Sequence, residues 1–231
     1  MNEPLVVPAK KASDIVESLT ESVIKLNISA EQLQAHNKRQ REFVKRQNTF
    51  KVEELRRRWQ APQRHVVESP DFSGEWGAKF TVLQQMFIAN TGLTLALVGE
   101  RGNGKTQLAV ELMRWFTSLL KPALFTTAIG FFIAVKTSYR KDSEQTEKAI
   151  MEEFGKPQLL VIDEIGKRSD SDWENNMLFE LLNRRYNDLK DTILIANKSK
   201  AEFQDYIGPS LASRMNETGG IVECNWPSFR I

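Results

Sequence analysis

Short apolar runs alternate with helix-period segments through the last two thirds of the chain. In one helical segment Leu108, Leu112 and Leu119 fall on one face, and a second such face begins at Trp173. The apolar runs predict five strands, at residues 94–98, 123–127, 159–163, 192–196 and 221–225. Strands that alternate with helices predict a mostly parallel sheet with helices on both faces, and ligands of such sheets bind where the strands end.

The first third of the chain has a polar, helical pattern. Residues 13–27 predict a short helix with one apolar stripe. Ser29, with Gln32 three residues later, has the spacing of a capping box and predicts a second helix that runs to about Trp59. Pro62 ends this helix, and the aperiodic stretch after it, as far as Ser73, is typical of a linker.

The charge distribution also separates the two parts. Residues 1–68 carry 13 basic and 9 acidic side chains, and within them the window 38–64 carries 10 basic and 3 acidic ones. A solvated basic helix explains this excess, and so does a surface for an acidic partner such as nucleic acid. We therefore predict a helical, basic region over residues 1–68 and an α/β domain over residues 69–231.

The overall composition excludes several classes of protein. With 231 residues, 41% hydrophobic and 27% charged, the chain has the composition of a globular protein. The longest apolar run, 128–135, has eight residues, whereas a membrane span needs roughly 20. The N-terminus lacks the basic start of a secretory signal. One cysteine, Cys224, and two histidines disfavour a disulfide or a structural zinc site, so a cytoplasmic location is expected.

A phosphate-binding motif follows the first predicted strand. The sequence GERGNGKT, residues 99–106, matches GxxxxGK(S/T) between a strand and a helix. Its glycines let backbone N–H groups converge on phosphate oxygens at the positive end of the helix dipole. Lys105 can reach the β- and γ-phosphates, and Thr106 offers a hydroxyl to Mg²⁺. The motif predicts a nucleotide triphosphate site with Mg²⁺.

Two acidic residues end the third predicted strand, LLVIDE. Asp163 is expected to hold Mg²⁺, directly or through water. Glu164 is then available to orient or deprotonate an attacking water. This pair favours a hydrolytic ATPase over a nucleoside kinase, which needs no activated water. After the fourth strand, Asn197 could hydrogen-bond the γ-phosphate or that water, although an asparagine there can also simply cap a turn.

The order of these motifs is similar to that of a known family. GERGNGKT, LLVIDEIG, NRRYND, TILIANKS, SLASRM and NWPSFR together resemble DnaC-type helicase loaders and the related IstB-like transposition ATPases of the AAA+ class. The resemblance spans residues 69–230 and reaches 1–68 only in general form. It implies a five-stranded P-loop fold of the AAA+ (ASCE) type without a C-terminal helical lid.

The resemblance also implies the roles of individual residues. The nucleotide site would comprise Gly99, Gly102, Asn103, Gly104, Lys105, Thr106, Gln107, Asp163 and Arg230, with Thr106 and Asp163 as the Mg²⁺ ligands. Glu164 and Asn197 would act in catalysis, as the Walker B glutamate and sensor one. Arg214, in SLASRM, matches the arginine finger that acts on the ATP of a neighbouring copy, although it could also be an ordinary surface arginine. Arg230 matches the sensor-two arginine.

The partners implied by the resemblance are a hexameric replicative helicase, bound by the N-terminal region, single-stranded DNA and other copies of the chain. Aromatic and cationic side chains that follow the second strand are candidates for DNA contacts: Lys136, Tyr139, Arg140 and Lys141. Phe131 and Phe132 lie in the same segment, but as neighbours on an apolar stretch they are expected in the core.

The resemblance therefore implies an ATP-dependent helicase loader that hydrolyses ATP during bacterial or phage DNA replication. An IstB-type transposition helper, which prefers duplex DNA and a transposase, is one alternative. A non-hydrolysing adaptor that uses ATP only as an assembly switch is another.

Overall fold

The computed structural model describes residues 30–67, 70–166 and 171–229. The chain divides into two compact units, with the boundary between Phe50 and Lys51. The short helix predicted at 13–27 lies outside the described residues.

Helices and strands alternate from β1 onward, as predicted. The described helices are α1 Ala30–Arg57, α2 Gln63–Val67, α3 Gly74–Ala89, α4 Lys105–Ser118, α5 Ala128–Ser138, α6 Glu147–Gly155, α7 Asp172–Asn187 and α8 Lys200–Thr218. The described strands are β1 Thr94–Val98, β2 Ala123–Thr127, β3 Leu159–Asp163, β4 Asp191–Ala196 and β5 Gly220–Glu223. Among the described helices, none has the length and apolar character that crossing a membrane requires.

The five strands form one parallel sheet in the order β2-β3-β4-β1-β5. Strand β4 lies between β1, which leads into the phosphate motif, and β3, which ends at Asp163. The carboxyl ends of these three strands therefore meet at one edge of the sheet. The predicted parallel sheet is confirmed, and β5 ends two residues earlier than predicted, at Glu223.

Both faces of the sheet are covered, because alternate side chains of each buried strand point to opposite sides. Leu95 and Leu97 of β1 pack with residues of α3 and α4. Ala96 and Val98 pack with residues of α5, α6, α7 and α8 on the other face. Phe131 and Phe132 belong to this second core, which confirms their expected burial.

Helix α1 confirms the long polar helix predicted from Ser29. Its side chains from 31 to 51 are all exposed, including the rings of Phe43 and Phe50. A helix whose apolar side chains remain in water gains little stability from its own packing. Its excess of basic residues therefore remains available to a partner.

The segment after α1 is packed, contrary to the linker predicted there. Trp59 is buried, its Nε1 donates to Thr117 Oγ1 at 3.0 Å, and its carbonyl accepts from the backbone N–H of Phe125 at 2.7 Å. Pro62 immediately precedes α2, and its carbonyl accepts from the N–H groups of His65 at 2.9 Å and Val66 at 3.3 Å. The sheet-bearing unit thus begins upstream of residue 69, and the predicted division of function near that residue stays a prediction.

An arginine of the NRRYND sequence is a core residue. Arg185 of α7 is fully buried. Its guanidinium donates to Thr192 Oγ1 at 2.9 Å and to four carbonyl oxygens, those of Phe154, Gly155, Pro157 and Asp191. Burial lowers the pKa of Arg185 to about 9, so the side chain is still protonated at neutral pH. Arg185 thereby ties α7 to the start of β4 and to the end of α6.

Candidate nucleotide-binding site

The phosphate motif forms a loop that only glycine can complete at its tightest points. Gly104, the N-cap of α4, has a left-handed backbone with φ 75°, and Gly99 has φ 137°. A Cβ on Gly99 would lie 2.5 Å from the carbonyl oxygen of Cys224, closer than real side-chain contacts. The loop therefore lies directly against the end of β5, and α4 begins at Lys105 with its N-terminus facing the loop.

Lys105 is held inside this loop. Its Nζ donates to the carbonyl oxygens of Gly99 at 2.9 Å and Glu100 at 2.5 Å, and to Asn103 Oδ1 at 2.9 Å. The side chain is buried, so its charge is held within the phosphate loop. A cation in this position is suited to the β- and γ-phosphates of a nucleotide.

Thr106 and Asp163 meet across the top of β1 and β3. Thr106 Oγ1 donates to Asp163 Oδ2 at 2.8 Å, and Asp163 Oδ1 accepts from the backbone N–H of Glu164 at 2.6 Å. Burial raises the pKa of Asp163 above its usual value. A hydroxyl and a carboxylate side by side are oxygen ligands of the kind Mg²⁺ prefers, so the two residues fit a magnesium site.

Glu164 and Asn197 complete the edge of the sheet. Glu164 has a left-handed backbone with φ 62°, a strained conformation for a non-glycine residue. The N–H of the next residue, Ile165, donates to the carbonyl of Ile195 at 2.9 Å, which ties this turn to β4. Asn197 follows β4 directly, so the two predicted catalytic side chains come from adjacent strands.

One cavity of about 690 Å³ lies over these strand ends. Eight of the predicted site residues line it: Gly102, Gly104, Lys105, Thr106, Gln107, Asp163, Glu164 and Asn197. The volume lies in the usual range of small-molecule sites. The structure thus brings the phosphate loop, the acidic pair and Asn197 to a single site.

Asn103 and Gln107, both predicted to bind the nucleotide, are hydrogen-bonded to other parts of the fold. The buried side chain of Asn103 donates to the carbonyl of Cys224 and accepts from Lys105, and Trp226 Nε1 donates to the carbonyl of Asn103 at 2.6 Å. Asn103 therefore joins the loop to the residues after β5. Gln107 Nε2 donates to the carbonyl of His65 at 3.1 Å, which joins the start of α4 to α2.

Several cavity residues were not predicted from the sequence. Pro62, Arg64 and His65 line one side, and Trp76 and Phe229 line the region beside Gly104. The N–H of Phe229 donates to the carbonyl of Gly102 at 2.9 Å. Trp59, a large aromatic residue at the end of a polar helix, was a signal that this segment packs against the domain. Phe229 lies within NWPSFR, but that sequence was given no role for this position. No motif marks Pro62, Arg64, His65 or Trp76, since their place in the cavity depends on tertiary contacts.

Of the two predicted arginines, the structure describes Arg214. Arg214 of α8 is half-buried and contacts α7, and it is not among the described residues that line the cavity. Arg230 lies outside the described residues.

The candidate DNA residues lie at and after the end of α5. Lys136 Nζ is 3.3 Å from Glu174 Oε1 and 4.8 Å from the ring centroid of Trp173. Tyr139 Oη donates to Glu147 Oε2 at 2.6 Å, and this hydrogen bond raises the pKa of Tyr139. Arg140 and Lys141 are exposed.

The chain is similar in sequence to a known protein. The chain is 28% identical over 133 residues to the replicative helicase loader DnaC of Escherichia coli (strain K12), an alignment that covers 57% of this chain and 54% of DnaC. The chain therefore spans about half the length of that relative.

Solved structures agree with this fold. A crystal structure of the DnaC helicase loader has a TM-score of 0.57 at 22% identity, covering 72% of this chain and 98% of that one. The replication initiator DnaA bound to AMPPCP and single-stranded DNA has a TM-score of 0.57 at 21% identity, covering 68% and 49%. The fold is thus the P-loop fold of AAA+ proteins.

The family model for IstB-like ATP binding proteins matches residues 13–228, nearly the whole chain. The chain belongs to the IstB-like ATP binding protein family.

Proposed function

We propose that this protein is an ATP-dependent loader of a replicative helicase, and that it hydrolyses ATP with Mg²⁺ while it holds the helicase and single-stranded DNA. The observation that carries hydrolysis is the convergence of Lys105, Thr106, Asp163, Glu164 and Asn197 on one cavity. The loader role is supported by the similarity to DnaC.

These five residues of the cavity each have a task in this reaction. Lys105 and the N–H groups of the loop bind the β- and γ-phosphates. Thr106 and Asp163 would hold Mg²⁺, which when bound neutralises charge on those phosphates. Glu164 accepts a proton from the attacking water, and Asn197 hydrogen-bonds this water or the γ-phosphate.

Arg214 is proposed as a finger that acts between copies. A guanidinium neutralises the charge that develops on the transferred phosphoryl group. Since Arg214 is outside the cavity of its own chain, this contribution has to come from a second copy. Hydrolysis would then depend on assembly.

The N-terminal region, residues 1–68, is the proposed docking element for the hexameric helicase. Its helix α1 presents Phe43 and Phe50, 58% and 67% exposed, on a strongly basic surface. Exposed apolar rings on a charged helix are typical of a protein-binding surface.

Single-stranded DNA is the proposed ligand of the residues after α5. Arg140 and Lys141 are exposed cations, and Tyr139 is an exposed ring on which a base can stack. Lys136 and Tyr139 have acidic partners, Glu174 and Glu147. DNA phosphates would compete with these carboxylates. Because cations that neutralise phosphates release condensed counterions from the DNA, binding should weaken steeply as salt increases.

Family membership keeps an IstB-type transposition helper as a second candidate. The two candidates differ in their protein partner and in the form of DNA that they prefer. Immobilised full-length protein with Mg²⁺ and ATP should retain the hexameric replicative helicase of its host and bind an oligo(dT) strand more tightly than a duplex of equal length. Retention of a transposase with preference for the duplex would establish the second candidate instead. Steady phosphate release with helicase and DNA present would exclude a non-hydrolysing adaptor.

A further inference from the structure

Arg214 contacts two aromatic rings of the neighbouring helix. Its Cζ lies 5.4 Å from the ring centroid of Phe179 and 5.3 Å from that of Tyr186. Its Nη1 donates to Asn183 Oδ1. All three partners belong to α7, so a long side chain that would otherwise sample many rotamers is held in one place.

The three partners share one face of α7, because positions 179, 183 and 186 follow helical spacing. The helices that carry this arrangement are fixed by buried residues, Arg185 on α7 and Met215 on α8. The ring of Tyr186 is oriented in turn, since its Oη donates to Glu217 Oε2 at 2.9 Å. We call Phe179, Asn183 and Tyr186 the α7 bracket.

The bracket leaves the guanidinium able to bind phosphate. A cation–π contact is an attraction between the charge of the guanidinium and the ring, so it does not use up the N–H donors, which lie in the plane of the group. A guanidinium has five such donors, and within the described part of the chain the hydrogen bonds of the Arg214 side chain use one nitrogen, Nη1. Since the side chain is already ordered, less conformational entropy is lost when it meets an anion.

We propose that the α7 bracket positions Arg214 for the triphosphate bound by a second copy of the chain. The inference rests on the proposed function, because it assumes that Arg214 acts between copies. Phe179, Asn183 and Tyr186 are then positioning residues, which act through Arg214 and touch no phosphate themselves. A bracket with only a structural role would instead stabilise the contact between α7 and α8 and affect both copies equally.

A mixing experiment with full-length chains separates these roles. The acceptor chain carries Arg214→Ala and keeps its own hydrolysis site, and the donor chain carries Glu164→Gln and supplies the finger. With Mg²⁺, ATP and an oligo(dT) strand, we expect the mixture to release phosphate although each chain alone does not. Adding Asn183→Ala or Tyr186→Ala to the donor should lower this rate about tenfold. In the acceptor, which already lacks Arg214, the same changes should leave the rate unchanged, because there is no guanidinium to misplace.

Two further variants serve as controls. Tyr186→Phe keeps the ring and should restore most of the rate that Tyr186→Ala loses. Asn176→Ala changes an exposed asparagine of the same helix and should leave the mixture unaffected. Thermal denaturation of each variant identifies any that fails to fold.

The outcomes distinguish a failure of the α7 bracket from a failure of Arg214 as a finger between copies. No phosphate release from the mixture of single variants, or full activity of the Arg214→Ala chain alone, would overturn the finger itself and the bracket with it. A restored mixture that tolerates the bracket substitutions in the donor would overturn the bracket alone. Equal losses from donor and acceptor would also overturn it, in favour of a structural role.

Discussion

Loss of Lys105 and loss of Glu164 should have different effects, because Lys105 is proposed to contact the bound phosphates and Glu164 to act on the attacking water. Lys105→Ala removes the cation that is hydrogen-bonded within the loop, and we expect no measurable ATP binding. Glu164→Gln retains size and polarity but cannot accept a proton, so binding should persist while hydrolysis falls at least about a hundredfold. Calorimetry and phosphate release measure the two effects. Hydrolysis at the parent rate by Glu164→Gln would contradict the assigned role.

Asp191 makes stability depend on pH. Burial raises its pKa above 3.8, although Gln158 and the N–H of Leu93 donate to its carboxylate. The folded state therefore keeps a proton that the unfolded state has released, and the contribution of Asp191 falls as pH rises from about 3.8 through the raised pKa. Asp191→Asn has no carboxyl to titrate at this position, so it is the reference for the parent protein.

The difference in unfolding free energy, parent minus Asp191→Asn, should therefore decrease as pH rises above 3.8 and level off once the folded carboxyl is ionised. Urea unfolding of both proteins at several pH values measures it. A difference that stays constant across this window would contradict the raised pKa.

The phosphate motif and the candidate Mg²⁺ ligands could be predicted from the sequence. Thr106 and Asp163 were identified because few residue types serve their chemistry and their spacing is fixed by the adjoining strand and helix. His65 and Phe229 were not, since they reach the cavity through contacts with residues 42 and 127 positions away, Gln107 and Gly102. Such contacts leave no local pattern.

At the scale of elements, the segment 59–67 binds the helix that begins at the phosphate loop. Trp59 contacts the end of α4 through Thr117, and His65 contacts its start through Gln107. Trp59→Ala should lower the free energy of unfolding by about 3–5 kcal/mol, as for other buried tryptophans. Trp59→Phe, which mainly loses the N–H, should cost about 1 kcal/mol. Chemical denaturation distinguishes the two, and a change below about 1 kcal/mol for Trp59→Ala would contradict the packing described.

Strands were predicted better than short helices. Buried runs such as 159–163 are apolar enough to identify directly, whereas α2, with five residues, is shorter than two helical turns and shows no period. Helix α8 contains a break at Gly208, with φ 71° and ψ 167°, before Pro209. Glycine followed by proline is a visible signal for such a break.

At the scale of the whole molecule, the order of the strands could not be predicted from apolar runs. Those runs give the number and sequence of strands, but the position of β4 between β1 and β3 depends on how the helices pack. That position brings Asn197 between the phosphate loop and the acidic pair. The family resemblance implied a five-stranded P-loop fold, but neither it nor the strand pattern was used to predict the order of the strands.

Assembly should control the rate of hydrolysis. If Arg214 acts on a second copy, the rate per chain should rise with protein concentration, and Arg214→Ala should lower it by about a thousandfold or more while ATP binding is retained. Phosphate release over a dilution series, with binding measured in parallel, tests this. A rate per chain that is independent of concentration would contradict action between copies.

Two indoles are hydrogen-bonded to the phosphate loop: Trp76 Nε1 to the carbonyl of Gly104 at 3.4 Å and Trp226 Nε1 to that of Asn103 at 2.6 Å. Tryptophan emission responds to the polarity and hydrogen bonding of the ring, so the loop carries its own fluorophores. Intrinsic fluorescence should change when Mg²⁺ and ATP are added, without any attached dye. The signal should disappear in Lys105→Ala and diminish in Trp226→Phe, which makes nucleotide occupancy readable in the unlabelled protein while it assembles.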